Sequence, residues 1–360
     1  MTAPPATESL WMTTSEATGF PALDRDLGVD VAIVGGGITG LTTALLLKRE
    51  GLRVAVLERR TVGSGATGLT TAKVSALQEV KYSQIRGVHG ERGAAAYAEA
   101  SLAAVDRMEA LVHEERIDCG WERTAASTYA ADGDQVEPVE REAAAARAAG
   151  LPVMTTTETP LPFAVPRAVR LDDQAQFHPL RYVRALARAV AGDGSHVCEG
   201  AGVAEVHEGS PCRVRTLAGR RVTARDVVIA TNYPVLDRGL FFTRMEAARS
   251  YCVAGRVRGS LPDGMLITAG SPTRSVRGYH DGDDRWLIVG GEGHITGSDE
   301  ARPERFAPSS ASRASTSTWS TLPGGGRPRT GCRPTACPTS AATPRCPRTS
   351  TWPVAFRSGV

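Results

Sequence analysis

A glycine-rich turn between a buried strand and a helix constrains the fold of this chain more than any other feature of its sequence. Residues 29–34 (VDVAIV) are short, β-branched and almost entirely apolar, which is typical of a parallel strand covered on both faces. Residues 35–40 (GGGITG) follow at once and open an apolar helical segment over residues 41–50, with Gly51 as its expected stop. Residues 53–58 (RVAVLE) form a second buried strand, so the pattern predicts a complete strand–helix–strand unit of a parallel α/β sheet.

The spacing of the glycines in this turn predicts a dinucleotide site. Gly35 permits the tight turn, Gly37 lets the backbone approach a pyrophosphate without a Cβ in the way, and Gly40 allows close packing of helix on strand. The helix N-terminus offers free N–H groups and a positive dipole end to phosphates. Glu58 ends the second strand, where its carboxylate can accept hydrogen bonds from both ribose hydroxyls. A glycine turn with an incidental surface glutamate is the alternative, and this unit alone leaves NAD and FAD both open.

Four further stretches carry a resemblance to a known family. They are residues 63–73 (GSGATGLTTAK), 176–180 (QFHPL), 226–232 (DVVIATN) and 288–294 (IVGGEGH). The third resembles the second, ATG-like fingerprint of FAD-binding folds, with Asn232 in place of the final glycine. The first resembles the segment that lies against the flavin in the D-amino acid oxidase and dehydrogenase family of FAD oxidoreductases. Over most of residues 20–300 the chain resembles the bacterial branch of that family whose members often end in a Rieske domain. The sequence has no Cys-x-His ligand pair, so neither a Rieske domain nor another metal site is predicted.

The resemblance implies a mixed α/β fold in which a Rossmann-like FAD-binding domain is interrupted by a substrate domain with an antiparallel sheet. Residues 1–27 are expected to form a leader segment. The FAD-binding domain is assigned to residues 28–80 and 165–236, and the substrate domain to residues 81–164 and 237–305.

The resemblance also implies a reaction, a cofactor and a set of site residues. FAD is the implied cofactor, and a small amine or amino acid gives hydride to flavin N5 from the C–H bond next to its nitrogen. The resulting imine hydrolyses, and oxygen or a carrier reoxidises the flavin, so no dedicated base is required. A catalytically inactive remnant that keeps the dinucleotide-binding half is the alternative, and an NAD-dependent dehydrogenase is a third reading.

Substrate contact is predicted for Arg249, Tyr251 and His280, with Tyr279 as a further candidate, although each residue type more often serves packing or solvation. His178 is interpreted as the residue that starts a helix. Lys73 is expected either to stabilise negative charge at the flavin's pyrimidine end or to be an exposed lysine at a loop end. The predicted cofactor contacts are Gly35, Gly36, Gly37, Ile38, Thr39, Gly40, Glu58, Arg59, Gly65, Thr67, Thr71, Ala72, Lys73, Val203, Ala230, Thr231 and Asn232.

Charge and composition exclude other classes of protein. The net charge of +3 is unevenly distributed, because seven arginines lie after residue 305 and the preceding residues have a net charge of −4. The negative charge of this larger part argues against a nucleic-acid partner. The sequence contains no run of about eighteen apolar residues, so no membrane span is predicted. The scattered Cys119, Cys198, Cys212 and Cys252 are typical of reduced, buried thiols. A cytoplasmic protein is therefore expected.

The segment from Phe306 to the end differs in character from the rest of the chain. Ser, Thr, Pro and Arg make up 60% of its 55 residues, and Asp and Glu are absent. Such a composition predicts a segment that is disordered or only loosely held. A one-base shift of the reading frame lets residues 335–341 read DGLPHIG and residues 350–360 read VYVAGGFSKWG, which resemble the runs with which the family closes its FAD domain. We therefore interpret the segment as frameshifted, with the switch near residues 302–308 and the closing strand lost.

Overall fold

Two β-sheets and the helices packed on them make up the part of the chain that the structure describes. It is a computed structural model that describes residues 9–233, 245–295, 335–344 and 354–357. The helices are Leu10–Thr13 (α1), Ile38–Arg49 (α2), Lys81–Glu114 (α3), Val136–Ala148 (α4) and Pro179–Val190 (α5), with single 3-10 turns at Ala66–Leu69 and Gly133–Gln135. The strands are Leu27–Val34 (β1), Val54–Leu57 (β2), Lys73–Val74 (β3), Glu122–Tyr129 (β4), Met154–Thr156 (β5), Ala168–Gln176 (β6), His196–Cys198 (β7), Val203–His207 (β8), Cys212–Thr216 (β9), Arg221–Ile229 (β10), Met245–Arg256 (β11), Met265–Thr268 (β12), Ser275–Asp281 (β13), Asp284–Ile295 (β14), Thr335–Pro344 (β15) and Val354–Arg357 (β16).

The first sheet is built around the predicted strand–helix–strand unit. Its strand order is β7-β2-β1-β10-β9-β8, and β7, β2, β1 and β10 run parallel. Val31 and Ile33 pack in one apolar cluster with α2 and α5, whereas Ala32 and Val34 pack in a second cluster on the opposite face. The prediction of a strand covered on both faces is confirmed, and so is the stop at Gly51, which follows α2 with φ +81°.

The second sheet is mostly antiparallel, as the resemblance implied. Its order is β15-β11-β14-β13-β12-β4-β6-β3, with β5 beside β6, and only the β12–β4 pair is parallel. The helices α3 and α4 pack on it. The backbone of helix α3 is kinked at Gly90, which has φ +68°. The buried Glu142 carboxylate accepts the backbone N–H groups of Tyr82 and Ser83, which lie in the first turn of this helix.

The two sheets share the chain differently from the predicted domain limits. Strands β3 and β6 fall inside residues 28–80 and 165–236, which we assigned to the FAD-binding domain. In the structure both strands pair in the second sheet, β3 with β6 and β6 with β4. The chain therefore enters the second sheet directly after the glycine-rich unit and leaves it directly before α5. The exact limits of the two domains remain a prediction.

Two stretches of the segment after residue 305 form strands, where we predicted disorder. β15 pairs along β11 from Met245 to Ala254, and β16 pairs with β10 from Asp226 to Ile229. Strand β9 leaves β10 after Ala224, so β16 occupies the free position beyond it. A strand edge offers backbone N–H and C=O groups to any extended segment, which is why a segment poor in aliphatic side chains can pair there. The other residues after 305 lie outside the described part of the chain.

Neither membrane-spanning helices nor disulfides are present in the described residues. The longest helix, α3, is interrupted by charged residues, and no other described helix has the length and apolar character of a span. Cys119, Cys198, Cys212 and Cys252 are buried, as predicted.

Candidate cofactor and substrate site

The turn after β1 requires glycine at its first position. Gly35 has φ +112°, a conformation that residues with a side chain rarely adopt. A Cβ at this position would lie 2.4 Å from the carbonyl oxygen of Ala230. The backbone of Ala230 is fixed in turn, because its N–H donates to the Val34 carbonyl at 2.8 Å. The end of β10 therefore lies directly against the glycine turn.

Gly40 and Gly37 are close to other atoms in different ways. A Cβ on Gly40 would lie 2.0 Å from the carbonyl oxygen of Gly35 and 3.3 Å from Ile33 Cγ2 of β1, so this glycine provides the close packing of helix on strand that the sequence predicted. A Cβ on Gly37 would point into space in front of α2, where only Thr67 Oγ1 lies within 4 Å, at 3.1 Å. The N–H of Ile38 donates to the same hydroxyl at 3.3 Å. This space, beside the positive end of α2, fits the pyrophosphate of a dinucleotide.

The Glu58 carboxylate lies against the same turn. Its Oε2 accepts the N–H of Gly36 at 2.8 Å and its Oε1 accepts the N–H of Arg60 at 2.9 Å. Each carboxylate oxygen can accept more than one hydrogen bond, so both keep capacity for a ribose hydroxyl. The Gly36 N–H holds the carboxylate at the mouth of the turn, in the position predicted for the ribose.

The stretch before the predicted contact Val203 lies beside Glu58 and Arg59, where an adenosine would extend. The chain at residues 200–203 runs along residues 58–60, since the Ala201 N–H donates to the Glu58 carbonyl at 2.8 Å. A Cβ on Gly202 would approach Arg59 Cγ to 3.0 Å. The structure thus places residues 200–202 against Glu58 and Arg59, with Val203 next in the chain at the start of β8.

The end of β10 explains the unusual asparagine of the second fingerprint. Asn232 has φ +65°, a left-handed conformation that glycine adopts freely and asparagine tolerates better than most residues. Thr231 Oγ1 donates to the Tyr233 carbonyl at 2.7 Å and closes this turn. Asn232 therefore occupies a position with the backbone of a glycine, beside the predicted contacts Ala230 and Thr231.

Residues 65–73 run from the glycine turn to the second sheet. Gly65 begins the 3-10 turn that carries Thr67, and β3 then pairs Lys73 with Gln176 of β6. Ala72 has φ +55°, and its N–H donates to Thr70 Oγ1 at 3.1 Å. A dinucleotide with its pyrophosphate at α2 would follow this segment with its ring end. The predicted contacts of residues 65–73 therefore lie in order between the two sheets.

Two cations lie at the end of this segment. Arg277 of β13 is 1% exposed, and its Nη1 and Nη2 donate to the carbonyls of Ala72 and Phe177 at 2.8 and 3.3 Å. Burial lowers the pKa of Arg277 to about 10. Burial, and then the charge of Arg277, lower the pKa of Lys73 to about 8. Within the described residues neither cation forms an ion pair with a carboxylate, so this part of the site favours a negative charge. The exposed-lysine interpretation of Lys73 does not fit this environment.

The predicted substrate-contact residues do not form one cluster. His280 is exposed and pairs with Arg285 at the hairpin end of β13 and β14, whereas Arg249 pairs with His294 nine residues farther along β14. At about 3.3 Å per residue the two positions are roughly 30 Å apart, so they cannot contact one small substrate. Tyr251 is buried on β11 opposite Gly291, and the side chain of Arg249 lies outside the described part of the structure.

Residues outside the predicted set complete the site. Arg277 was not predicted from the sequence. The alternation of β13 indicates its burial, since it shares the inward face of the strand with buried Ser275 and Tyr279. His178 is the N-cap of α5, as interpreted, because its Nδ1 accepts the N–H of Arg181 at 3.2 Å. Burial lowers the pKa of His178 to about 3, which keeps the ring neutral. The described residues contain no cluster of three His, Cys, Asp or Glu side chains able to hold a metal ion.

Comparisons with known proteins agree with this geometry. A family model described as "FAD dependent oxidoreductase" (DAO) matches residues 30–352. A curated protein of Bacillus subtilis, named "Putative Rieske 2Fe-2S iron-sulfur protein YhfW", is 31% identical over 302 residues, which are 84% of this chain and 59% of the relative. Glycine oxidase from Geobacillus kaustophilus has a similar structure, with a TM-score of 0.68 and 21% identity over 89% of this chain and 84% of that protein. L-proline dehydrogenase from P. horikoshii also has a similar structure, with a TM-score of 0.63 and 17% identity over 90% of this chain and 83% of that protein. The chain thus spans about three-fifths of the length of its curated relative.

Proposed function

Because this chain belongs to the family of FAD-dependent oxidoreductases, we propose that it oxidises a small amine or amino acid at the C–H bond next to nitrogen. FAD supplies the hydride acceptor when it is bound along residues 35–40, Glu58 and residues 65–73. The observation that carries the proposal is the continuous path from the glycine turn to the antiparallel sheet, which ends at two unpaired cations. Glycine oxidase and L-proline dehydrogenase, which share the fold, act on compounds of this class by their names.

The two cations suit an amine substrate in two ways. A positive environment disfavours protonation of a nearby amine, and only a neutral amine can give up hydride readily. The ammonium of Lys73 can also hold a carboxylate, which would orient an amino acid against the ring. Arg277 is engaged with the Ala72 carbonyl, so we assign the direct contact to Lys73. The electron acceptor that follows is oxygen or a carrier.

The test is anaerobic mixing of the purified full chain with small amino acids and secondary amines, without nicotinamide, while the flavin absorbance is recorded. Bleaching by one of these compounds supports the proposal. Reduction only by NADH or NADPH rejects it in favour of a reductase. A folded, colourless protein indicates the inactive remnant, and NADH binding without flavin colour indicates the NAD-dependent dehydrogenase.

The role of Lys73 has a separate control. For a reactive amino acid, Lys73→Met should raise the apparent dissociation constant by about tenfold or more, because a charge-assisted contact is lost. The amine that lacks the carboxylate loses only the general effect of the positive charge, so its dissociation constant should change much less. Lys81→Met serves as the matched control, since Lys81 begins α3 and is paired with Glu79. An equal effect on both substrates would contradict carboxylate binding by Lys73.

We also propose that the segment after residues 302–308 is read one base out of frame. Its lack of acidic residues and the two family-like runs of the shifted frame support this. Resequencing of the gene across these codons should show a one-base difference. An intact mass that matches the present sequence would refute it.

A further inference from the structure

Two side chains near the N-terminus donate hydrogen bonds to backbone carbonyls of residues 65–73. Ser9 Oγ donates to the Gly68 carbonyl at 2.6 Å, and Trp11 Nε1 donates to the Thr70 carbonyl at 2.7 Å. Trp11 is only 3% exposed, although its helix has four residues. Its indole contacts the ring of His178 edge-on, with centroids 4.9 Å apart. The expected leader segment is therefore part of the interior at this point.

Arg277, on the second sheet, binds the carbonyl two residues after that of Thr70. Its Nη1 donates to the Ala72 carbonyl, and its Cζ stands 5.3 Å from the centroid of the Trp11 ring. The two donors are thus in contact with each other as well as with the segment. Ala72 has the left-handed conformation noted above, which a residue with a Cβ keeps only when its surroundings impose it. The hydrogen bonds at Thr70 and Ala72 are such surroundings.

We propose that Trp11 and Arg277 are positioning residues for the flavin. Their buried N–H groups fix the carbonyls of Thr70 and Ala72, and thereby set the path of the backbone that carries Thr71 and Lys73 to the ring. The proposal rests on FAD lying along residues 65–73, as in the proposed function. Trp11, which precedes the glycine turn in the chain, thus acts on the segment that follows the turn.

The first experiment compares Trp11→Phe with Trp286→Phe in the full chain. Trp286 Nε1 is buried and makes no hydrogen bond, so its removal controls for the change of ring. We expect Trp11→Phe to raise the dissociation constant of FAD by about tenfold and to change the visible circular dichroism of the flavin that remains bound. Trp286→Phe should leave both unchanged. A purely structural role would lower the unfolding temperature of the apoprotein and leave the flavin spectrum alone.

The second experiment uses Arg277→Lys and Arg277→Met. Lysine keeps the charge and one donor toward Ala72, so its flavin spectrum should lie between those of the wild type and the methionine variant. If the methionine variant fails to fold, Trp11→Phe decides the question. Wild-type FAD affinity and circular dichroism in Trp11→Phe would overturn the inference. That outcome is separable from the amine-oxidation proposal, because reduction of wild-type flavin by amines is measured independently.

Discussion

Alanine at Gly37 should separate the ability to fold from the ability to bind FAD. Gly37 has φ −91° and ψ −172°, which alanine adopts without strain, and the new methyl would meet only Thr67 Oγ1, at 3.1 Å. A shift of a few tenths of an ångström in that hydroxyl is enough, so the apoprotein should keep its stability. The same methyl stands where the pyrophosphate must approach the helix. Loss of one charged hydrogen bond costs about 1.5 to 3 kcal/mol, so the FAD dissociation constant should rise about 10- to 100-fold.

Two neighbouring glycines supply the controls for this experiment. Gly40→Ala puts a methyl 2.0 Å from a carbonyl oxygen and should destabilise the apoprotein itself, whereas Gly28→Ala on β1 has nothing within 4 Å and should change neither property. Urea unfolding of the apoproteins gives the stabilities, and fluorescence titration with FAD gives the affinities. Wild-type FAD affinity in the Gly37→Ala protein would show that the pyrophosphate does not bind at this turn.

The remaining predictions concern stability and its dependence on pH. The pKa of Lys73 is about 8 in the folded chain against 10.5 ordinarily, so the cost of burying its charge is present below pH 8 and disappears as the pH rises to 10.5. Apoprotein with Lys73→Met should therefore be about 2 kcal/mol more stable than the wild type at pH 7, with the gap closing by pH 10.5 in urea unfolding. His178→Ala should lose about 1 to 2 kcal/mol with the α5 cap, and His178→Asn should recover most of it. The pKa of His178 is about 3 in the folded chain, so between pH 6.5 and 3 the unfolded chain binds a proton that the folded chain does not. The stability of the wild type should therefore fall over this range of pH, and the stability of His178→Asn should fall less. Glu142→Ala leaves the buried Tyr82 N–H and the half-buried Ser83 N–H without an acceptor and should cost about 2 kcal/mol or more. Glu137→Ala, on the exposed face of the same helix, should cost under about 0.5 kcal/mol, and equal losses would contradict the assigned role of Glu142.

The strand–helix–strand unit was predictable because its determinants are local. The ends of β1, α2 and β2 lie within three residues of the predicted limits, and the close approaches at Gly35 and Gly40 are those that the spacing implied. A buried apolar run, a glycine turn and a helix stop each act over a few residues. Their meaning does not depend on the rest of the chain.

The second sheet was harder to predict because its residues acquire their roles from distant partners. Arg277 meets Ala72 across 205 positions, and Trp11 meets Thr70 across 59. Neither pairing leaves a trace in local composition. His280 shows how little separates a correct assignment from a wrong one, since its neighbour Tyr279 points inward while it points to solvent. Neighbouring residues of a strand face opposite sides of the sheet, so an assignment that is wrong by one position replaces a buried side chain with an exposed one.

The pairing of β1 with β10 fixes an order of events during synthesis. Val29 and Ala224 are partners in this ladder, although 195 positions separate them in the chain. A ribosome that adds about 5 to 20 residues per second needs roughly 10 to 40 s to make the second strand after the first. Throughout that interval β1 presents an apolar strand with one open edge, beside a glycine turn that lacks the Ala230 carbonyl against which it closes. The glycine turn therefore gains its packing against the end of β10 only after Ala230 has been synthesised.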